Sequence, residues 1–357
     1  MITRKQTKRI QVGTVPIGNF APISIQSMIT TDPVHTDKAI AEINRLADAG
    51  CELVRVAVPT MESAKSIAAV KAGAKIPVIA DIHFDYRLAL EAIDNNIDGL
   101  RINPGNIGGL DNVVAVIEKA KPKRIPIRIG VNAGSLPQYI LDKYDGHPTA
   151  DGMVEAALEH VRILENLNYS EMKLSIKATE VPLMVEAYRK LSDKVPYPLH
   201  LGVTEAGTIT QGTIKSAMGI GSLLLDGIGD TLRVSLTGDP IHEVEVGKSI
   251  LSNLGLRSFG ATMISCPTCG RCQVNLFDLA NTVEERLKSI QEPIKVAVMG
   301  CVVNGPGEAR EADFGIAGGK GHGILFRKGE VIKTLKEDEL VDALFAEIDQ
   351  YIESLNK

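Results

Sequence analysis

The feature that most constrains the fold is a repeat of short apolar runs separated by amphipathic stretches. Such runs indicate strands that are buried on both faces, as in a parallel sheet. The intervening stretches, such as Thr36–Ala49 and Gly152–Asn166, have helical periodicity, with Thr36 or Asp37 as N-cap and Gly50 as the terminating glycine of the first. The eight runs are Ile23–Met28, Leu53–Val58, Pro77–Ile82, Gly99–Pro104, Pro126–Asn132, Met172–Ala178, Leu199–Glu205 and Asp230–Thr237.

Eight strand–helix units over about 250 residues predict a (β/α)8 TIM barrel. A doubly wound sheet usually has fewer strands and a glycine-rich first turn, and no G-x-G-x-x-G follows the first run here. The segment Ile10–Asn19 predicts a hairpin before the barrel. We therefore predict α/β architecture, with a substrate-binding barrel domain at residues 1–255.

After Gly255 the pattern changes, which predicts a small α+β domain at residues 256–357. A loop rich in cysteine is followed by further helices and strands. Glycine and glutamate at 329–330 predict a turn. The expected elements are a helix at Asn275–Gln291, a strand at Ile294–Val298, a strand pair around Asp313–Lys328 and a closing helix at Asp338–Leu355.

Composition and charge exclude several classes of protein. The net charge is −5, which provides no basic field for nucleic acid, and aromatic residues are only 4%. No apolar run approaches the roughly 18 residues of a membrane span. The basic start MITRKQTKRI is not followed by the apolar core of a secretory signal. Five cysteines, an odd number, favour a reduced cytoplasmic protein with metal-binding thiols over a disulfide framework.

Cations interrupt four of the predicted strands. A charge buried without a partner is costly, and arginine is suited to bidentate contact with phosphate. Because barrel chemistry takes place at the carboxyl ends of the strands, this pattern predicts an anionic substrate there. The four cations are Arg55, Arg101, Arg128 and Lys177. The alternative is internal ion pairing with Asp81, Glu205 or Asp230.

Other polar residues lie near the same strand ends. Asn132 adds an uncharged donor at the end of the fifth run. Glu205 ends the seventh run and is a candidate general acid or hydroxyl acceptor, with a salt bridge to Lys177 as the alternative. A lone histidine on a strand is more often a hydrogen-bonded core residue than a catalytic one, which is the interpretation we favour for His83 and His200.

Two loops of the C-terminal region combine thiols, glycines and a carboxylate. They are ISCPTCGRC at Ile264–Cys272 and MGCVVNGPGE at Met299–Glu308. This arrangement favours an iron–sulfur cluster with one weaker, exchangeable ligand. The candidate ligands are Cys266, Cys269, Cys301 and Glu308. A structural zinc site of four thiolates that includes Cys272 is the alternative, and Cys272 also fits a ferredoxin-like C-x2-C-x2-C spacing.

Several segments carry a family resemblance: LRINPGNIG, RIGVNAGSL, GIGDTLRVSLT, CPTC and GCVVNGPGE. Together they resemble the 4-hydroxy-3-methylbut-2-en-1-yl diphosphate synthase family, the iron–sulfur enzymes of the methylerythritol phosphate route to isoprenoids. The resemblance spans nearly the whole chain, and the length matches the short bacterial form. It implies a reductive ring opening and dehydroxylation of 2-C-methyl-D-erythritol 2,4-cyclodiphosphate to (E)-4-hydroxy-3-methylbut-2-enyl diphosphate.

The resemblance also implies a cofactor, partners and site residues. The cofactor is a 4Fe–4S cluster, the electron donor is flavodoxin or ferredoxin, and the assembly is a homodimer in which one subunit's cluster domain caps the other's barrel. Cys272 is not part of the family's ligand pattern. The implied cluster ligands are Cys266, Cys269, Cys301 and Glu308. The implied diphosphate contacts are Arg55, Arg101, Arg128, Asn132 and Lys177, and the implied acidic site residue is Glu205.

Overall fold

The computed structural model describes residues 2–301 and 309–355. The chain divides into two compact units, the first ending at Arg257 and the second beginning at Ser258. The boundary expected from the sequence, between residues 255 and 256, lies close to this division. None of the helices in the described ranges is both long enough and apolar enough to span a membrane.

A hairpin and eight parallel strands form the sheet structure of the first unit. The barrel strands follow one another around the sheet, and a bridge between Leu174 and Leu199 joins its two ends. The predicted (β/α)8 barrel is therefore confirmed. The strands are β1 (Ile10–Val12) and β2 (Val15–Ile17) in the hairpin, then β3 (Ser24–Met28), β4 (Leu53–Ala57), β5 (Val78–Asp81), β6 (Gly99–Ile102), β7 (Ile127–Asn132), β8 (Met172–Lys177), β9 (His200–Leu201) and β10 (Thr231–Leu232).

Helices connect the barrel strands and cover the sheet. The first helix starts where the sequence predicts, but its N-cap is His35, which makes no side-chain capping bond. Gly50 follows that helix with φ of 101°, as a left-handed terminating position requires. The helices are α1 (Thr36–Asp48), α2 (Met61–Gly73), α3 (Tyr86–Asp94), α4 (Leu110–Ala120), α5 (Gln138–Lys143), α6 (Ala150–Asn166), α7 (Val181–Ser192), α8 (Ile209–Leu225) and α9 (Pro240–Asn253), with short 3-10 turns at Lys121–Lys123 and Ala133–Ser135.

The N-terminal hairpin packs against the amino ends of the barrel strands. Its side chains form one apolar cluster with the start of β4 and with β5. The buried members of this cluster are Ile10, Val12, Ile17, Leu53 and Ile79. Because this end is filled with apolar side chains, polar chemistry is left to the carboxyl ends of the strands.

In its described residues, the second unit is a five-stranded sheet covered by two helices. Strands β11 to β13 are parallel, and the last two pairings are antiparallel. Helices and sheet enclose a core that includes Val283, Val298, Phe314 and Leu344. The strands are β11 (Thr262–Ser265), β12 (Lys295–Met299), β13 (Phe314–Gly318), β14 (His322–Arg327) and β15 (Glu330–Lys336), and the helices are α10 (Leu276–Leu287) and α11 (Leu340–Leu355), preceded by a 3-10 turn at Glu337–Glu339.

Two strands of this sheet were not expected from the sequence. β11 and β15 are the edge strands, and most of their residues are exposed or half-buried. An edge strand with little buried surface needs no apolar run or strict alternation, so the pattern that reveals core strands is missing. The predicted turn at residues 329–330 is shifted, since Glu330 already belongs to β15.

Candidate functional site

Asp81, at the end of β5, organises one side of the barrel mouth. Its carboxylate lies 3.3 Å from Nε of Arg55, 3.2 Å from Nη1 of Arg101 and 3.5 Å from Nε2 of His83. Burial alone would raise the pKa of Asp81. The hydrogen bond with His83 and the positive charges of Arg55 and Arg101 outweigh it, so the pKa is lowered. The ionised carboxylate therefore holds two guanidinium groups in place.

Two further cations at the mouth, Arg128 and Lys177, are buried, and no carboxylate of the described part of the chain pairs with them. Arg128 is 2% exposed and donates from Nη1 to Oγ of Ser175 at 3.0 Å. Its Nε and Nη2 have no hydrogen-bond partner among the described residues. Burial, together with neighbouring cations, lowers the pKa of Arg128 and of Lys177 well below the usual values. These groups would be stabilised by an anion.

Two glycines make room for the cations. A Cβ at Gly202 would lie 2.7 Å from Nζ of Lys177, and one at Gly130 would lie 3.1 Å from Nε of Arg101. Both distances are shorter than an ordinary van der Waals contact. The observed positions of the long Lys177 and Arg101 side chains therefore use the space left where Gly202 and Gly130 lack a side chain. The sequence reasoning missed this role, although glycine inside an apolar strand is the available signal.

The ion-pairing alternative holds for part of the set. Asp81 pairs with Arg55 and Arg101, as that alternative proposed. Asp230 instead pairs with Arg4, at 3.3 Å. The mouth therefore combines two cations that pair with Asp81, Arg55 and Arg101, with two others, Arg128 and Lys177. Within the described ranges, neither of these two pairs with Asp81, Glu205 or Asp230.

Glu205 and Asn132 differ in how firmly they are held. Glu205 is exposed, has φ of 51° and accepts a hydrogen bond from Thr179 at 3.4 Å. A positive φ is uncommon for a residue with a side chain and often occurs at functional sites. No ion pair between Glu205 and Lys177 is present in the described part of the chain. Asn132 ends β7 and is the ladder partner of Lys177, which places the two at one level of the barrel.

The two histidines differ from their interpretation as hydrogen-bonded core residues. His83 is 53% exposed at the mouth and contacts Asp81 and Arg101. The signal was available, because residues 81 and 83 share one side of an extended chain. His200 is buried as expected, but neither ring nitrogen has a hydrogen-bond partner among the described residues.

The thiols of the second unit follow the ends of two adjacent parallel strands. Cys266 comes directly after β11, and Cys301 follows β12. The backbone N–H of Gly300 donates to Sγ of Cys266 at 3.1 Å. Cys269 is exposed, and a hydrogen bond from the backbone N–H of Arg271 is the main cause of its lowered pKa. The hydrogen bond to Cys269 favours its thiolate, the form that binds metals.

The described residues do not by themselves form a complete set of metal ligands. In residues 2–301 and 309–355, no three His, Cys, Asp or Glu side chains are close enough to hold a metal ion. The predicted fourth ligand, Glu308, lies outside the described residues. Ala309 belongs to an apolar cluster against which Cys266 packs. The thiol of Cys272, the alternative ligand, donates to the carbonyl of Val274 at 3.3 Å.

Comparison with known proteins identifies the family. A model described as the GcpE TIM-barrel domain matches residues 7–248, and one described as the GcpE protein C-terminal domain matches residues 262–350. The chain belongs to the GcpE family. The enzyme 4-hydroxy-3-methylbut-2-en-1-yl diphosphate synthase (flavodoxin) of Geobacter sulfurreducens is 58% identical to it, over 98% of this chain and 99% of that protein.

Further relatives of this GcpE family member have the same enzyme name. The protein from Thermodesulfovibrio yellowstonii is 58% identical and that from Clostridium perfringens 56% identical, each over 98% of this chain and 99% of the relative. The family resemblance inferred from sequence is therefore confirmed. The names of these relatives give no support to the alternative of a structural zinc site in the C-terminal domain.

A likeness among solved structures concerns the fold alone. Dihydropteroate synthase from Stenotrophomonas maltophilia, with active site-bound imidazole, has a TM-score of 0.51 at 13% identity. The matched region covers 71% of this chain and 100% of the dihydropteroate synthase chain. At this identity the likeness carries no statement about chemistry.

Proposed function

We propose that the protein catalyses the reductive ring opening and dehydroxylation of 2-C-methyl-D-erythritol 2,4-cyclodiphosphate. The product is (E)-4-hydroxy-3-methylbut-2-enyl diphosphate, and the reaction consumes two electrons. Relatives at 54–58% identity that bear the corresponding enzyme name support this proposal. The structural observation that carries it is the pair of buried cations in the barrel interior, Arg128 on β7 and Lys177 at the carboxyl end of β8.

The mouth residues have complementary roles in this proposal. Arg128 offers its unpaired N–H groups to the diphosphate, and Lys177 adds charge beside it. Arg55 and Arg101, already oriented by Asp81, contribute further donors. Donors that are fixed before the reaction stabilise negative charge that develops on the leaving phosphate oxygen as the C–O bond breaks. Asn132 contacts the substrate without charge, and Glu205 donates a proton or holds a hydroxyl group.

The proposed cofactor ligands are Cys266, Cys269, Cys301 and Glu308. Their donor chemistry fits a 4Fe–4S cluster, because soft thiolates bind such clusters and the described thiols lie on neighbouring loops with N–H donors. When bound, the cluster supplies single electrons and a Lewis-acidic iron. Glu308 offers a harder and more exchangeable ligand than a thiolate. We propose flavodoxin or ferredoxin as the electron donor, and the relatives' printed name favours flavodoxin.

A cytoplasmic homodimer with shared active sites completes the proposal. Helix α8 exposes an apolar stripe at Ile214, Met218 and Leu225, which share one helix face and would be covered by a second copy. Mixing Arg128→Ala subunits with Cys301→Ser subunits should then restore part of the activity. Properly formed mixed dimers without any activity would argue against a site shared between subunits.

Anaerobic assay of the full chain tests the proposed function. Protein purified without oxygen should contain iron and sulfide and should convert the cyclic diphosphate when reduced flavodoxin is supplied. Zinc as the only metal, or no product from iron-loaded protein with either donor, would contradict the proposal.

Replacing Glu308 with Cys tests the exchangeable ligand. A fourth thiolate should preserve the cluster but bind more firmly, so we expect near-normal iron content and colour with little turnover. Glu311→Cys, at an exposed position in the same region, is the matched control and should keep both. Wild-type turnover in the Glu308→Cys variant would exclude the hypothesis that the fourth ligand must be displaced during the reaction.

A further inference from the structure

Lys173 is a buried cation that the proposed mechanism does not use. It lies on β8, where Lys173, Ser175 and Lys177 share one face because side chains alternate along a strand. Ser175 bonds to Arg128, and Lys177 approaches Gly202 on β9's continuation, so this face points into the barrel. Lys173 therefore lies in the interior, four residues before Lys177 and closer to the amino end of the strand.

The surroundings of Lys173 are positively charged or neutral. Its side chain is 2% exposed, and Nζ has no hydrogen-bond partner among the described residues. On one side its ladder partner is Arg128 of β7. On the other side is His200 of β9, whose pKa is lowered by burial and then by cations that include Lys173. Arg128 is the charged group that acts on the pKa of Lys173, and neither Arg128 nor His200 can neutralise it.

The same surroundings weaken the hold of Lys173 on its proton. Burial is the larger cause and the charge of Arg128 the second, and together they lower the pKa of Lys173 to about 7. A diphosphate bound by Arg128 and Lys177 would bring negative charge next to this cluster. That charge opposes both causes of proton loss, because it offsets the charge of Arg128 and stabilises the ammonium form.

We propose that Lys173 is a positioning residue that takes up a proton from solvent when the diphosphate binds. The inference rests on the proposed diphosphate site. The free protein then avoids one more uncompensated charge in its interior, whereas the complex gains a cation beside Arg128 that keeps the guanidinium directed at the ligand. Affinity for the diphosphate should consequently fall as pH rises, because binding requires a proton that becomes scarcer.

Calorimetry in buffers of different ionisation enthalpy measures this proton uptake. The full chain is used with its cluster, oxidised and without a reductant, so that the cyclic diphosphate binds but is not converted. Each phosphorus of this ligand carries one ester bond, one anhydride bridge and a single strongly acidic group, so the ligand itself does not titrate near neutral pH. We expect uptake approaching one proton per ligand at about pH 8 and much less at about pH 6, where Lys173 is already protonated. Between these pH values the Kd should rise up to roughly tenfold per pH unit.

Variants separate Lys173 from other proton acceptors. Lys173→Met should abolish the uptake and flatten the pH dependence of Kd, and Lys173→Arg should bind without uptake while it keeps the charge. Lys65→Met, at an exposed position, and His200→Gln should leave the uptake at about pH 8 unchanged. His200 starts from a pKa well below its usual value and is therefore not expected to respond at that pH.

The outcomes distinguish this inference from the proposed function. Binding without proton uptake, or uptake that survives both Lys173 variants, would overturn the role of Lys173 and leave the diphosphate site intact. Failure of the cyclic diphosphate to bind at either pH would overturn the diphosphate site, and the role of Lys173 with it.

Discussion

The barrel mouth and the thiol loops hold their functional side chains in different ways. Arg128 is on a central strand, 2% exposed, and β7 pairs with β8 along six residues. Cys269 is exposed on a loop, and Cys266 and Cys301 are half-buried at strand ends. The fold thus prepares the anion site in advance, whereas the described thiols lie on a loop and at strand ends, where less of the surrounding core fixes them. Substrate affinity and cofactor content should therefore be separable by mutation.

The largest expected effect comes from removing one thiol. Cys301→Ser should lose iron and abolish turnover, because a cluster ligand is missing. Binding of the cyclic diphosphate and the thermal stability of the barrel should change little, since each unit has its own core. Iron analysis, absorbance and calorimetry measure these quantities. Cys272→Ser is the matched control and should keep colour and rate; loss of the cluster in that variant would mean that Cys272 is a ligand.

The next largest effect is expected at Arg128, where a substitution should change the affinity for the diphosphate but not the free energy of unfolding. Arg128→Met should weaken diphosphate binding by about 100-fold, or roughly 3 kcal/mol, because charge-assisted hydrogen bonds are lost. It should not lower the free energy of unfolding, since a buried charge without an ion pair in the described ranges is replaced by an apolar chain of similar size. Calorimetry and urea unfolding provide the two readouts.

Arg233→Met is the matched comparison for that variant. Arg233 makes two hydrogen bonds to Glu243, at 3.1 and 2.9 Å, and Glu243 is 3% exposed. Loss of the arginine leaves a buried carboxylate without its main partner, which should cost about 3–5 kcal/mol of stability. Equal destabilisation by the two substitutions would show that Arg128 is held as a structural residue and would weaken the case for preorganisation.

The smallest effect concerns the pH dependence of stability at Asp81. Its pKa is lower in the folded than in the unfolded protein, so its contribution is present at neutral pH and lost as pH falls below about 4. Asp81→Asn should lower the free energy of unfolding at pH 7 by about 3 kcal/mol, and the difference from wild type should shrink in acid. Urea unfolding across pH measures this. Asp48→Asn, in the exposed pair with Lys75, should cost at most about 1 kcal/mol.

The agreement between sequence and structure follows from how much of each element is buried. The inner strands of the barrel are buried on both faces, so their apolar runs mark them clearly. The last two barrel runs were predicted too long: Leu199–Glu205 contains a two-residue strand, and Asp230–Thr237 another. In both, apolar residues continue beyond the last ladder bond, so hydrophobicity alone does not show where pairing ends.

The amino-acid sequence by itself determined the barrel, the cations on its strands, the thiols of the C-terminal loops and the family. These properties depend on the local pattern and on the chemistry of individual residues. Only the tertiary structure decided that Asp81 pairs with both Arg55 and Arg101, while Arg128 and Lys173 lack a carboxylate partner within the described residues. The physical reason is that an ion pair depends on distances of a few ångströms between side chains from different strands. Strand register sets these distances, together with the space left at glycines such as Gly130 and Gly202.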